Sequence, residues 1–216
     1  VDMDPIVKLG YPIIEDAAHA VDSTYKGKPC GAIADVGIFS YDAVKNLTVG
    51  EGGGIAASNP EMISRAKVLR YCGIGKSGFD TAINSADKKN RWWEYNIEEP
   101  FIKMLPTNLA ASIGLAQLEK IDRLQNRRKE IWKIYQDQLS TVKNLINPSN
   151  LSDNNDSHSY FTYCIRVPKR DQLAHYLLEK KIYTTLRYHP LHMNPLYNQL
   201  KSNLPNCEKL NNEALS

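Results

Sequence analysis

The chain has 216 residues, enough to bury a sizeable core as one large domain or one and a half. Charged residues make up 24% with a formal net charge of +3, a balance that demands no nucleic-acid partner. The four cysteines are scattered without a Cys-x-x-Cys pair, no apolar run approaches the ~20 residues of a membrane span, and the opening residues lack the marks of a secretion signal; the expectation is a cytoplasmic protein without disulfide framework, zinc site or membrane anchor.

In chain order, Val1 to Leu9 read as the end of a helix. Pro12 to Glu15 is a short apolar strand, and Asp16-Ala-Ala-His19-Ala starts a helical or looped turn. Tyr25-Lys-Gly-Lys is a turn with Gly27 at its tip, and Val36 to Tyr41 is a second strand. A loop carrying Lys45 follows, with Gly54 to Ala57 as the return strand. Asn59 before Pro60 signals a helix start, and Gly73 stops that helix. Residues 73 to 107 form a long loop, of the length that usually serves a function. Thr107-Asn108 opens a helix to about Leu139, whose stripe of Ile113, Ala116, Leu118, Ile121, Leu124, Ile131, Ile134 and Tyr135 predicts core packing. Basic residues Arg123, Arg127, Arg128, Lys129 and Lys133 alternate with Glu119, Asp122, Glu130 and Asp137 as a solvated face laced with i,i+4 pairs. Asn144 to Ser159 reads as a linker. Tyr160 to Val167, Lys169 to Lys181 and Ile182 to Arg187 then give a β-α-β order, which predicts a small α/β subdomain over 144–216 after a larger domain over 1–143.

The chemistry gathers in two stretches, Ile13-Ile-Glu-Asp-Ala-Ala-His19 and Ile38-Phe-Ser-Tyr-Asp-Ala-Val-Lys-Asn-Leu-Thr-Val-Gly-Glu-Gly-Gly-Gly54. Each residue has a plain reading: Lys45 a solvated charge, Asp16 a helix cap, His19 a satisfied polar side chain, the glycines a tight turn. In this order together they suggest a carbonyl cofactor held on Lys45 as a Schiff base. Such chemistry needs a neutral amine, which apolar neighbours such as Val44 and Leu47 favour, and the same amine can then shuttle protons as base and acid. Asp16, ending a strand, can hold a pyridine nitrogen protonated. His19 can contact the ring or its phenolic oxygen, and the Ser40 hydroxyl can bind a phosphate, while the glycines allow close backbone approach to a phosphate or a packed subunit. A metal site at Asp16 and His19 would need a further ligand, and His189 and His192 lie far along the chain, so no metal site is assigned.

Ile14-Glu-Asp-Ala-Ala-His-Ala20, Phe39 to Gly53, Ala111-Ser-Ile-Gly-Leu-Ala-Gln-Leu118 and His189-Pro-Leu-His-Met-Asn-Pro195 resemble the DegT/DnrJ/EryC1/StrS aminotransferases. The resemblance implies an α/β fold of type I, the PLP-dependent aminotransferase fold, with part of its large mixed-sheet domain and a small C-terminal α/β subdomain. It implies pyridoxal 5'-phosphate on Lys45, its ring nitrogen on Asp16, His19 beside the ring, Ser40 on the phosphate and His192 near the substrate. Where family members carry several polar residues before the long helix, this chain has Phe101-Ile-Lys-Met-Leu-Pro106, leaving Lys103 for a cofactor contact across subunits. The implied activity moves an amino group from an amino acid, glutamate by expectation, to a keto-sugar nucleotide in sugar or lipopolysaccharide biosynthesis, in a homodimer. Family members run well beyond this length, so N-terminal strands and a helix, and the last strand and helix, are expected to be missing. The alternative expectation is a non-catalytic chain that acts only by associating with a partner subunit.

Overall fold

A computed structural model describes residues 1–75, 91, 93–149, 155–186, 188–197 and 202–216. Parts of the long loop (76–90, 92) and of the Asn-rich stretch (150–154), with 187 and 198–201, lie outside the described residues. The chain forms two units: Val1–Asp122 with Asp153–Ser159, and Arg123–Ser152 with Tyr160–Ser216.

The first unit is built on a mixed three-stranded sheet in the order β1 (Ile14–Asp16), β4 (Val36–Ser40), β5 (Gly53–Ala57). β1 and β4 run parallel, with Asp16 opposite Ile38, and β5 returns antiparallel, with Gly53 opposite Ser40. The crossover from β1 to β4 contains a two-stranded hairpin, β2 (Thr24–Tyr25) and β3 (Lys28–Pro29). Lys26 and Gly27 both have positive φ, 50° and 77°, as the tight two-residue turn demands. Glu15 ties the crossover to the sheet by accepting from the Gly31 and Ile33 amides at 2.6 and 3.2 Å. Behind the sheet Gly31 and Gly37 meet so closely that a Cβ on Gly37 would lie 2.0 Å from the Gly31 carbonyl oxygen.

A short helix α1 (Asp4–Val7) precedes the sheet. Helix α2 (Pro60–Leu69) follows it, capped by the Asn59 side chain, which accepts from the Glu61 amide at 2.8 Å. Past its end Gly73 takes φ +74°, and the chain returns so that Ile97 pairs with Ile74 and Lys103 with Tyr71. The helix expected from Thr107 to Leu139 is two helices, α3 (Asn108–Leu118) and α4 (Ile121–Leu139). Between them the Lys120 amide bonds to the Gln117 carbonyl at 3.0 Å, an i to i−3 bond that tightens and ends α3. The apolar stripe is also not the buried core that its spacing predicted. Ile113, Leu118, Ile131, Ile134 and Tyr135 are all exposed. On the charged face, Arg127 and Glu130 form an exposed pair at 2.8 Å, spaced i,i+3 where i,i+4 was expected.

In the second unit, Trp132 of α4 meets Tyr160 and Tyr163 edge-on, at centroid distances of 5.6 and 4.8 Å. Tyr163 donates to Asn147 Oδ1 at 3.1 Å, and burial pushes its phenol pKa up. The strand expected over Tyr160 to Val167 shrinks to β6 (Ile165–Arg166), and α5 (Arg170–Glu179) follows as expected. The described residues 182–186 form no strand; Thr185 instead exchanges both backbone hydrogen bonds with Ser216, at 2.8 and 2.9 Å. The edge of β6 is taken by β7 (Ala214–Leu215), which follows α6 (Pro205–Glu213) and pairs antiparallel. The predicted β-α-β order is thus replaced by an antiparallel pair, closed by Arg166 on Glu213 at 2.7 Å and with Leu215 buried.

Candidate active site

Asp16 and Ser40 emerge at the same end of the sheet because β1 and β4 are parallel. Asp16 faces Ile38 across the ladder, and Ser40 lies two residues beyond Ile38, so alternation puts the carboxylate and the hydroxyl on one face. Ile14, Ile38 and Ile55 share that face and are 70%, 37% and 56% exposed. The carboxyl end of parallel strands, where the chain turns away, is the usual place for a ligand in open α/β sheets. An apolar surface ended by one acid and one hydroxyl suits an aromatic ring bearing a basic nitrogen and a phosphate.

Asp16 is exposed, and its Oδ1 accepts from the Ala18 amide at 3.1 Å, so it caps a turn, not a helix. The turn begins on a fixed base: Ala17 is buried, and its amide bonds to the Ile38 carbonyl at 2.9 Å. His19 follows within the same turn and is exposed. Ser40 is half-buried, with the Asp42 amide 3.4 Å from its Oγ.

The lysine loop is closed at its neck by Tyr41. Its amide donates to Gly52 O at 2.8 Å and its carbonyl accepts from Val49 at 2.9 Å. Within the loop, Asp42 Oδ1 accepts from the Val44 amide at 3.1 Å, and its carbonyl accepts from Lys45 at 3.0 Å. Thr48 Oγ1 accepts from Gly50 at 3.0 Å, and Gly50 takes φ +89°. These bonds present Lys45, half-buried, on a fixed turn that starts two residues after the Ser40 strand end. The glycines that follow serve this packing. A Cβ on Gly53 would come within 2.9 Å of the Phe39 carbonyl oxygen, and one on Gly54 within 2.7 Å of the Tyr41 hydroxyl.

The structure therefore sets Asp16 and Ser40 at the ends of two parallel strands, with His19 and Lys45 on the segments that leave them. Lys103 lies in the same unit on an exposed extended segment whose backbone partner is Tyr71. His192 belongs to the second unit, in a 3₁₀ turn (Leu191–Met193), with its side chain 12% exposed and Nε2 3.1 Å from Glu208 Oε1. Two polar residues at these places escaped the sequence reading. Asn46 is 6% exposed and its Nδ2 donates to the Ser159 carbonyl at 2.5 Å. Glu208 holds His192 and also accepts from the Leu204 amide at 3.3 Å. Asn46 had one signal, its place directly after Lys45; Glu208 had none that separates it from a helix-start carboxylate.

The family described as the DegT/DnrJ/EryC1/StrS aminotransferases matches residues 1–216. A dTDP-4-dehydro-2,3,6-trideoxy-D-glucose 4-aminotransferase of Saccharopolyspora spinosa is 39% identical over 201 residues, 92% of this chain and 51% of that protein. Among solved structures, the aminotransferase TlmJ of Streptoalloteichus hindustanus superposes with a TM-score of 0.84 at 34% identity, covering 98% of this chain and 54% of its own. Spr1654 of Streptococcus pneumoniae, solved in PMP and PLP forms, gives TM-scores of 0.82 and 0.80 at 29% identity, over 94% of this chain and about half of its own. The chain spans about half the length of the relatives it matches.

Proposed function

We propose, because the chain belongs to the DegT/DnrJ/EryC1/StrS aminotransferase family, that it serves a PLP-dependent transfer of an amino group from an amino acid to a keto-sugar nucleotide. Glutamate is the donor in this reading, and the working form is a cytoplasmic homodimer. The observation that carries it is the parallel register that brings Asp16 and Ser40 to one sheet end, beside the closed loop of Lys45.

PLP, when bound, supplies the electron-withdrawing ring that amino-group transfer requires. Asp16 holds the proton on the ring nitrogen, where opposite charges stabilise one another. The Ser40 hydroxyl would donate to the phosphate, with Lys103 of the partner subunit as a cationic counterpart, and His19 would bear on the ring. Lys45 would hold the cofactor through its amine, and the same amine would move the proton at the amino-bearing carbon as general base and then acid. His192, fixed by Glu208, reads the sugar end.

The test is reduction of the PLP-loaded protein with borohydride, followed by peptide mapping. The expected label sits on Lys45. Lys45→Ala should carry no covalent label, and its turnover with glutamate and a dTDP-4-keto sugar should fall by at least about a thousandfold, the scale of a lost general base. A label on another lysine would overturn the assignment. A second reading, association without catalysis, draws support from the exposed Ile14, Ile38 and Ile55 face; tight PLP binding with turnover would exclude it.

A further inference from the structure

We infer that Asn46 is a positioning residue for Lys45, holding the lysine loop against the segment Asn155–Ser159; the inference rests on the reading of Lys45 given above. Asn46 is 6% exposed, Ser159 is 5% exposed, and the amide of one donates to the carbonyl of the other at 2.5 Å. A polar side chain buried this far is held by its hydrogen bonding, since losing a buried partner costs the group its full desolvation penalty.

The acceptor is itself immobilised. Thr24 and Ser157 exchange both backbone hydrogen bonds, at 3.1 and 3.3 Å. The Thr24 hydroxyl lies 3.0 Å from both Ser157 Oγ and the Asn155 carbonyl, and Ser157 Oγ donates to the Asp22 carbonyl at 3.1 Å. Gly27 donates to the Asn155 carbonyl at 3.0 Å, and Lys26 to the Asp156 carboxylate at 2.7 Å. The crossover hairpin thus fixes 155–159, 155–159 fixes Asn46, and Asn46 is bonded in sequence to Lys45.

The lysine amine sits on a long stem with several rotatable bonds, so its reach is set by where the backbone of Lys45 starts. A displacement of about 1 Å at such a root is enough to lower the reactivity of a positioned group about a hundredfold. The role is therefore geometric: Asn46 sets where the Lys45 amine can go.

The experiment uses the PLP-loaded protein and measures the rate of borohydride trapping on Lys45, alongside total PLP affinity. In the wild type the label must map to Lys45; a label elsewhere removes the premise and the inference with it. Asn46→Ala should slow trapping about tenfold, the scale of one lost buried hydrogen bond, with PLP affinity changed less. Asn46→Asp should trap slowly at neutral pH and recover towards the wild-type rate, normalised at each pH, as acid restores a donating carboxyl. A role in shape alone would make that variant equally slow at every pH. Thr24→Val, which removes the hydroxyl contacts behind the segment but keeps the backbone pairing, should slow trapping in the same direction by a smaller factor. Should Asn46→Ala not fold, Thr24→Val decides. Wild-type trapping rates in the variants that fold, with the label on Lys45, would overturn the inference.

Discussion

Single residues set the geometry at three places, and each carries a prediction. Gly37 has no room for a methyl group: the nearest atom is the Gly31 carbonyl oxygen at 2.0 Å, which is backbone and cannot rotate away. Gly37→Ala should therefore cost more than about 2 kcal/mol in chemical denaturation, as overpacking of a fixed contact does. Glu208 closes two hydrogen bonds, to His192 and to the Leu204 amide. Its carboxylate is partly open to solvent, so Glu208→Ala should cost only about 1 kcal/mol of stability. If His192 reads the sugar, the same change should raise KM for the sugar nucleotide more than it lowers kcat. His158, half-buried, has its imidazole pKa held below the ordinary value of about 6.5 by desolvation. The unfolded chain then takes up the proton first as pH falls. Stability from this group is complete above about pH 6.5 and is lost as pH drops through that value towards the lower folded one. The Tm should fall between about pH 7 and pH 5, and His158→Gln should flatten that slope.

At the scale of elements, the strands that end in Asp16 and Ser40 were legible because each is a short apolar run ended by polar or glycine residues. β1 and β4 begin and end within two residues of the expected places, and Asn59-Pro60 marked the start of α2. Elements whose partners lie far along the chain were not legible. β6 owes its edge to β7, which is distant in sequence, and local alternation could not foresee that pairing. Asn155–Ser159 reads as a polar linker by composition, yet it is pinned to the hairpin because Ser157 and the Asn155 carbonyl meet Thr24 and Gly27. The break after Leu118 was invisible for a different reason: the residues around Lys120 are all compatible with helix, and only the bond to Gln117 interrupts the ladder. The β6–β7 pair carries its own prediction. Arg166 and Glu213 are partly buried and joined through two guanidinium nitrogens at 3.2 and 2.7 Å. Glu213→Ala should therefore lower stability by about 1–3 kcal/mol, and Glu213→Asp by less.

At the scale of the whole molecule, apolar cover is sparse. Among the described residues, Ala17 and Leu215 are the buried hydrophobic side chains, while Ile14, Ile55, Leu118 and Ile134 stand in solvent. Uncovered apolar faces of this kind bind dyes and one another. The 216-residue chain on its own should enhance the fluorescence of an apolar probe and elute from size exclusion with a concentration-dependent size. Probe fluorescence no greater than that of an ordinary soluble monomer would refute this.

The bond between Asn46 and Ser159 spans 113 residues, and that distance has a consequence in time. Closing a loop of this length costs about 4 kcal/mol of chain entropy before any contact repays it. The strands that carry Asp16 and Ser40 are close in sequence and can pair early, but the final setting of Lys45 must wait for a segment made much later. On the ribosome, the sheet can form while Ser159 is still inside the exit tunnel. The Lys45 loop should then be among the last parts of the first unit to reach its final position during synthesis.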